Sequence, residues 1–247
     1  MHLHLDLAGG AAGDTFIAAI LDAFPRFEEP VIAAIDALDG PYPVACSLVF
    51  HSDGESTGRR FQIEPFDKYF GHIPIAFPVL SHGDCVSHEQ ATWESVRERL
   101  HAADIECGVR RHAVSIFERL VEAESSARGI QPDRVAFQEA GAWDAIAEIV
   151  GVAALIHALP AVRWTASPFP SPELITPTGA AIVGYLCPQG AANRGSPQVR
   201  ALFGSGTGFA ARGRSSNNSR MRVHRIMTYT SSAVARASGA SSGYTAP

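Results

Sequence analysis

Lysine is almost missing from this chain. Of 20 basic residues only Lys68 is a lysine, and no Asp or Glu occurs after Glu173. Charge is therefore divided along the sequence, −13 over the first 173 residues and +8 over the rest, for a net −5. Arginine suits bidentate phosphate and carboxylate contacts. The Arg-only end lacks interleaved aromatics and any reader pattern, however, so it reads as a solvated face and nucleic acid is not an expected partner. No stretch approaches ~18 uninterrupted apolar residues, so no membrane span is expected. The opening MHLHLDLAGG has no basic segment of the secretory type. Cysteine is scarce, at 46, 85, 107 and 187 with no C-x-x-C pair. That usage fits reduced thiols and a cytoplasmic location. What is present is 46% hydrophobic and 18% charged residues over 247 positions. This is globular composition, long enough to bury its own core.

The order of elements predicts an α+β fold. His2-Leu3-His4-Leu5-Asp6 alternates with period two, and Ala8 to Gly13 is a Gly-rich turn. Asp14 is the expected N-cap of a helix over Thr15–Ala23 that stops at Pro25. A helix from Pro30 to Leu38 and strands at Tyr42–Phe50 and Arg60–Glu64 complete a small βααββ unit, residues 1–65. Residues 66–88 read as a long loop. From 89 to 230 a helical segment leads into a short α/β portion of the same domain. Its helices are Glu89–Ala103, Val109–Arg128 with Gly129 as C′ glycine, apolar Trp143–Leu159, and one opened by Thr176-Pro177. Gly204-x-Gly206-x-Gly208 reads as a turn, Arg220–Thr228 as an edge strand, and 231–247 as a disordered tail.

Three constellations carry possible chemistry. Asp6-x3-Gly10-x2-Gly13-Asp14 places carboxylates and glycines where a helix N-terminus offers free N–H groups to an anion. The two acids could instead hold a hydrated cation, or the glycines could simply make the turn. In Phe137-Gln138-Glu139-Ala140-Gly141-Ala142-Trp143-Asp144 two acids flank a Gly turn at the start of the apolar helix. They could accept a proton or bind a metal, or only compensate the helix dipole. His82-x5-His88, with His72 and Cys85 near, offers imidazole and thiolate suited to nickel or zinc, in a spacing that matches no closed zinc pattern. We expect the two acidic turns to face each other across one cleft, open to water or holding a divalent ion.

These motifs resemble a known family. LDLAGGAAGDTFIAAILDAF is similar to the opening of the nickel-insertion proteins that make the nickel-pincer nucleotide cofactor of lactate racemase. The segment from Val96 to Leu159 is similar to that family's long helical stretch with its Glu-x-Gly-Ala-x-Asp motif. Ser167-Pro168-Phe169-Pro170, the run from Glu173 to Ala181, and Gly204-Ser205-Gly206-Thr207 match further landmarks in the same order. The resemblance implies a lyase-class enzyme that inserts nickel into a pyridinium bisthiocarboxylate mononucleotide, in a reaction that depends on CTP and manganese. By position, Asp6, Asp14, Glu139 and Asp144 would be the catalytic acids. Gly10, Gly13, Gly141, Thr176, Thr178 and Gly179 would contact the nucleotide. His82, His88 and Glu139 would be metal ligands.

Departures from the pattern are as informative. Where the family carries His-x-His-Glu, this chain has Ala136-Phe137-Gln138-Glu139, and Arg128 stands where a histidine is expected. The His-rich loop is reduced to His72, His82 and His88, and a stretch between Pro170 and Glu173 has no counterpart here. Nothing in this sequence resembles the part that the family uses for CTP and manganese. Two readings follow: a working insertase completed by a separate CTP-binding polypeptide, or a non-catalytic remnant that is at most a weak nickel-binding accessory.

Overall fold

The computed structural model describes residues 1–40, 42–52, 57–67, 71–72, 91–137, 143–159, 161–169, 174–187, 199–208 and 219–227. Glu139, Gly141, His82, His88, Cys85 and the 231–247 end lie outside the described residues.

Strand β1 is His2–Gly9. Its alternation places Leu3, Leu5 and Leu7, all fully buried, on one face and His2, His4 and Asp6 on the other. Gly10 then turns the chain at φ 109°, a conformation glycine adopts without Cβ strain, and its N–H donates to the Leu7 carbonyl at 2.8 Å. Helix α1 follows at Gly13–Ala23 and is buried nearly all round from Thr15 to Leu21, which makes it the central helix. Its N-cap is Ala12, not Asp14. The Thr15 hydroxyl accepts from the Ala12 N–H at 3.1 Å and donates to the Ala12 carbonyl at 2.8 Å, so the early turn at Gly10 starts the helix before Asp14 is reached. Phe24, which precedes Pro25, ends it, because a residue before proline is pushed out of the α region.

Helix α2 (Glu28–Asp36) leads to the antiparallel pair β2 (Val44–Ser52) and β3 (Thr57–Asp67), with β4 (Gly71–His72) against the end of β3. Strand β5 (Ala91–Thr92) opens α3 (Trp93–Ala102), capped by the Thr92 hydroxyl accepting from the Ser95 N–H. Helix α4 (Cys107–Arg128) ends at Gly129 with φ 64°, the left-handed C′ glycine expected from sequence. Strand β6 (Ala136–Phe137) pairs with β5. Helix α5 (Trp143–Ala158) is buried over most of its length, as its apolar sequence predicts. Strand β7 (Arg163–Ala166) returns parallel to β1. Helix α6 (Pro177–Leu186) begins at the Thr176-Pro177 pair, with the Thr176 hydroxyl accepting from the Gly179 N–H at 2.9 Å.

The last two strands correct the sequence reading. The Gly204-x-Gly206-x-Gly208 run is not a turn: it lies in strand β8 (Val199–Gly208). In the ladder with β9 (Ser219–Met227), Gly204 and Gly206 sit opposite Val223 and Met221, both buried. These glycines thus belong to the ladder, in the strand over which α1 packs. Nor is β9 an edge strand. The order β2-β3-β8-β9-β1-β7 puts it inside the sheet, between β8 and β1.

The fold is α+β, a mixed sheet and helices around one continuous apolar core. That core takes in Leu5 and Phe16 from the N-terminal part, Phe117 and Ile149 from the helices, and Val223 from β9. No described helix is long and apolar enough to cross a membrane.

Candidate functional site

The corner that follows β1 is pinned to the start of α6. Ala11 donates its N–H to the Leu174 carbonyl at 3.0 Å and accepts from the Thr176 N–H at 2.9 Å. Gly179 lies so close that a Cβ there would come to 2.2 Å from the Ala11 oxygen and 2.8 Å from the Ala12 nitrogen. Only glycine allows this backbone-to-backbone approach. The N-termini of α1 and α6 are thereby brought side by side, and their positive dipole ends add at one place.

Helix α5 brings a carboxyl group to the same corner. A Cβ on Gly13 would lie 2.5 Å from Glu148 Oε2 and 3.1 Å from Glu148 Cβ, so the first residue of α1 is in effect seated on the Glu148 side chain. Burial pushes the Glu148 carboxyl well above its ordinary range, and the negative charges of Asp14 and then Asp144 push it further. Asp144 stands one turn before Glu148 on α5, so the two share a helix face. Tyr42 belongs to the same neighbourhood. Its phenol is raised first by burial and then by the charge of Asp144. The arrangement is an acidic corner of Asp14, Asp144 and Glu148, in which Glu148 binds a proton more readily than an ordinary carboxyl does.

Of the candidate acids, Asp14 and Asp144 thus meet through a third residue that the motif reading missed. The signal was present: Glu148 is the one acid in the apolar run from Ala145 to Ile156, four residues after Asp144. Asp6 lies elsewhere. It is on the strand face that carries His2 and His4, whereas α1 covers the leucine face, its Phe16 ring 5.8 Å from Trp164, the β7 partner of Leu3. Its Oδ1 accepts from the Ala8 N–H at 3.1 Å, and its ladder partner is Arg222.

Gly10, Gly13, Thr176, Thr178 and Gly179 do gather at the corner, and each has a structural task there. Gly10 makes the turn, Gly13 admits Glu148, and Gly179 admits Ala11. The Thr176 hydroxyl caps α6, and Thr178 is buried. Among the described residues, no group of three or more His, Cys, Asp or Glu side chains is arranged to hold a metal ion.

Residues 3–172 match the family model described as nickel insertion protein, and the chain belongs to that family. It is 34% identical, over 66% of its own length and 36% of the relative's, to the pyridinium-3,5-bisthiocarboxylic acid mononucleotide nickel insertion protein of a Nocardioides species. It is also 29% identical, over 85% of its own length and 57% of the relative's, to a provisionally named nickel insertion protein of Geobacter sulfurreducens. The chain thus spans between about a third and a little over half of these relatives. No solved structure matches it.

Proposed function

We propose that this chain takes part in nickel insertion into a pyridinium bisthiocarboxylate mononucleotide, the precursor of the nickel-pincer cofactor of lactate racemase, and that Glu148 accepts the proton released in that step. In such a reaction the thiocarboxylate sulfurs bind nickel, a ring C–H bond breaks as the carbon–nickel bond forms, and the proton must pass to a base. A base matched to that task has a value lifted toward neutrality. The one observation that carries the reading is the Glu148 carboxyl, raised by burial and by Asp14 and Asp144, against Gly13 at the joined ends of α1 and α6.

In this reading Asp14 and Asp144 keep Glu148 basic, and Asp6 serves from the other strand face. The paired helix N-termini, with Gly10, Gly13, Thr176, Thr178 and Gly179, receive the nucleotide phosphate. Gly141, from the Glu139 motif, is a further nucleotide contact in this proposal. Glu139, His82 and His88 hold nickel before transfer. No step is assigned to CTP or manganese, whose contacts belong to a separate polypeptide in this proposal. The location proposed is the cytoplasm.

A second reading has its own observation. The chain carries Ala136-Phe137-Gln138-Glu139 in place of the histidine-flanked motif, which favours a non-catalytic nickel-binding role. Incubating the chain with nickel and the precursor, with and without a relative's CTP-binding portion and MnCTP, separates the two. Product detected by mass spectrometry, lost in Glu148→Gln, supports insertion. Nickel uptake without product under both conditions supports the accessory role.

A further inference from the structure

We propose that Phe169 recognises the ring of the ligand at the corner, as the aromatic face on which the pyridinium of the mononucleotide stacks; this rests on the corner being a mononucleotide site. The Ser167-Pro168-Phe169-Pro170 motif has no part in the proton step. Phe169 is nonetheless one of the few large apolar side chains left in water among the described residues, at 43% exposure. Its place is fixed from both sides of the Gly10 turn. Before it, Ser167 donates its N–H to the Leu5 carbonyl at 2.9 Å, and the Ser167 Oγ accepts from the Leu7 N–H at 2.8 Å. Two residues span at most about 7 Å, so the Phe169 backbone stays close to Leu7. After it, the chain is again beside β1 and α1 at Leu174 and Thr176, both bonded to Ala11. Leu7 and Ala11 bracket one tight turn, closed by the Gly10 N–H on the Leu7 carbonyl. Phe169 therefore stands at the carboxyl ends of the parallel strands β1 and β7, on the side where α1 and α6 begin. The crevice outside the carboxyl ends of parallel strands is where such sheets take their ligands.

Chemistry selects the ligand group. The corner has helix N–H groups for a phosphate and Glu148 for a proton, but its glycines, alanines and threonines offer no face to a planar ring. Tyr42, the aromatic near Asp144, packs against the core. Phe169 supplies the missing face. A proline on each side restricts its backbone, because Pro168 has a fixed φ and a residue before proline is held extended. A side chain on such a backbone loses little freedom when a ligand docks. The phenyl face carries the negative part of the ring quadrupole, so a planar ring that bears positive charge is favoured over a neutral one. The carboxylates of Asp14 and Asp144 favour the same charge.

The test is an NMR titration of the full chain with three probes. Nicotinamide mononucleotide carries a pyridinium ring, its dihydro form a neutral ring on the same sugar phosphate, and ribose 5-phosphate no ring. The native chain should bind the pyridinium form more tightly than the dihydro form. Phe169→Ala should weaken the pyridinium form roughly 5- to 20-fold and leave ribose 5-phosphate unchanged. Phe169→Leu, which keeps apolar area without a π face, should also lose the preference for the charged ring, and Phe169→Trp should restore it. The site is exposed, so the circular dichroism spectrum should not change in any of the three variants. Native-like binding of the pyridinium form by Phe169→Ala or Phe169→Leu overturns the proposal, and so does a native chain that binds no pyridinium probe. The proton role of Glu148 fails separately. Ring binding that depends on Phe169, with insertion indifferent to Glu148→Gln, removes that role and keeps this one.

Discussion

Gly13 and Glu148 are fitted to each other so closely that a single methyl group on the glycine would stand 2.5 Å from the glutamate Oε2. The contact joins the first turn of α1 to the second turn of α5. Gly13→Ala should therefore destabilise the fold by roughly 1–3 kcal/mol, the usual cost of forcing atoms into a packed interior. The Cβ of Glu148, 3.1 Å away, has less freedom to move than its carboxylate. In urea denaturation the double variant Gly13→Ala/Glu148→Ala should lose less than the sum of the single variants. Additive losses would show that the two residues are not coupled.

Glu148 also gives the stability profile a sign. Its carboxyl is raised in the folded chain, first by burial and then by Asp14 and Asp144. The native state therefore keeps a proton over a range in which the unfolded chain has lost it. The stability this contributes is full below the ordinary carboxyl value of 4.5 and is lost as pH rises through the folded value. Glu148→Gln should flatten the dependence of Tm on pH and raise Tm at neutral pH relative to the native chain. A parallel downward shift at every pH would contradict this.

Helix α6 supplies a matched pair of glycines. A Cβ at Gly179 would meet the Ala11 backbone at 2.2 Å, and neither partner is a side chain that can swing away. At Gly184 it would meet nothing within 4 Å. Gly179→Ala should cost more than ~3 kcal/mol or prevent folding, whereas Gly184→Ala should be neutral or stabilising by up to about 1 kcal/mol through helix propensity. Thermal melts of the two variants check the contrast.

Much of this architecture is legible in sequence because its signals are local. The leucines of β1 alternate, Gly129 follows the last turn of α4, and Thr176-Pro177 carries its own cap. The parts that were not legible depend on distant partners. Gly204, Gly206 and Gly208 look like a turn until β9 is laid beside them and α1 on top. Asp14 looks like a cap until the Gly10 turn shows the helix starting at Ala12–Gly13. Glu148 is an unremarkable acid in an apolar helix until α5 is docked against Gly13. The corner is made by contacts between residues more than a hundred positions apart, which no motif spacing records.

Nickel binding by the chain alone should be weak and sub-stoichiometric. The proposed ligands are Glu139, His82 and His88, and Ala136 and Gln138 stand where the family resemblance expects two histidines. Equilibrium dialysis should show uptake that falls further in His82→Ala/His88→Ala. A tight one-to-one site that survives this double change would place nickel elsewhere.

The central claim is that Glu148 takes the ring proton during insertion, and the most direct measurement is single-turnover product formation with nickel and the bisthiocarboxylate mononucleotide, supplied with the CTP-binding portion of a relative and MnCTP. The account predicts that Glu148→Gln lowers the rate by roughly 10²–10⁴-fold, the range expected for loss of a general base, with nickel uptake unchanged. A Glu148→Gln variant that inserts nickel at the native rate would contradict it.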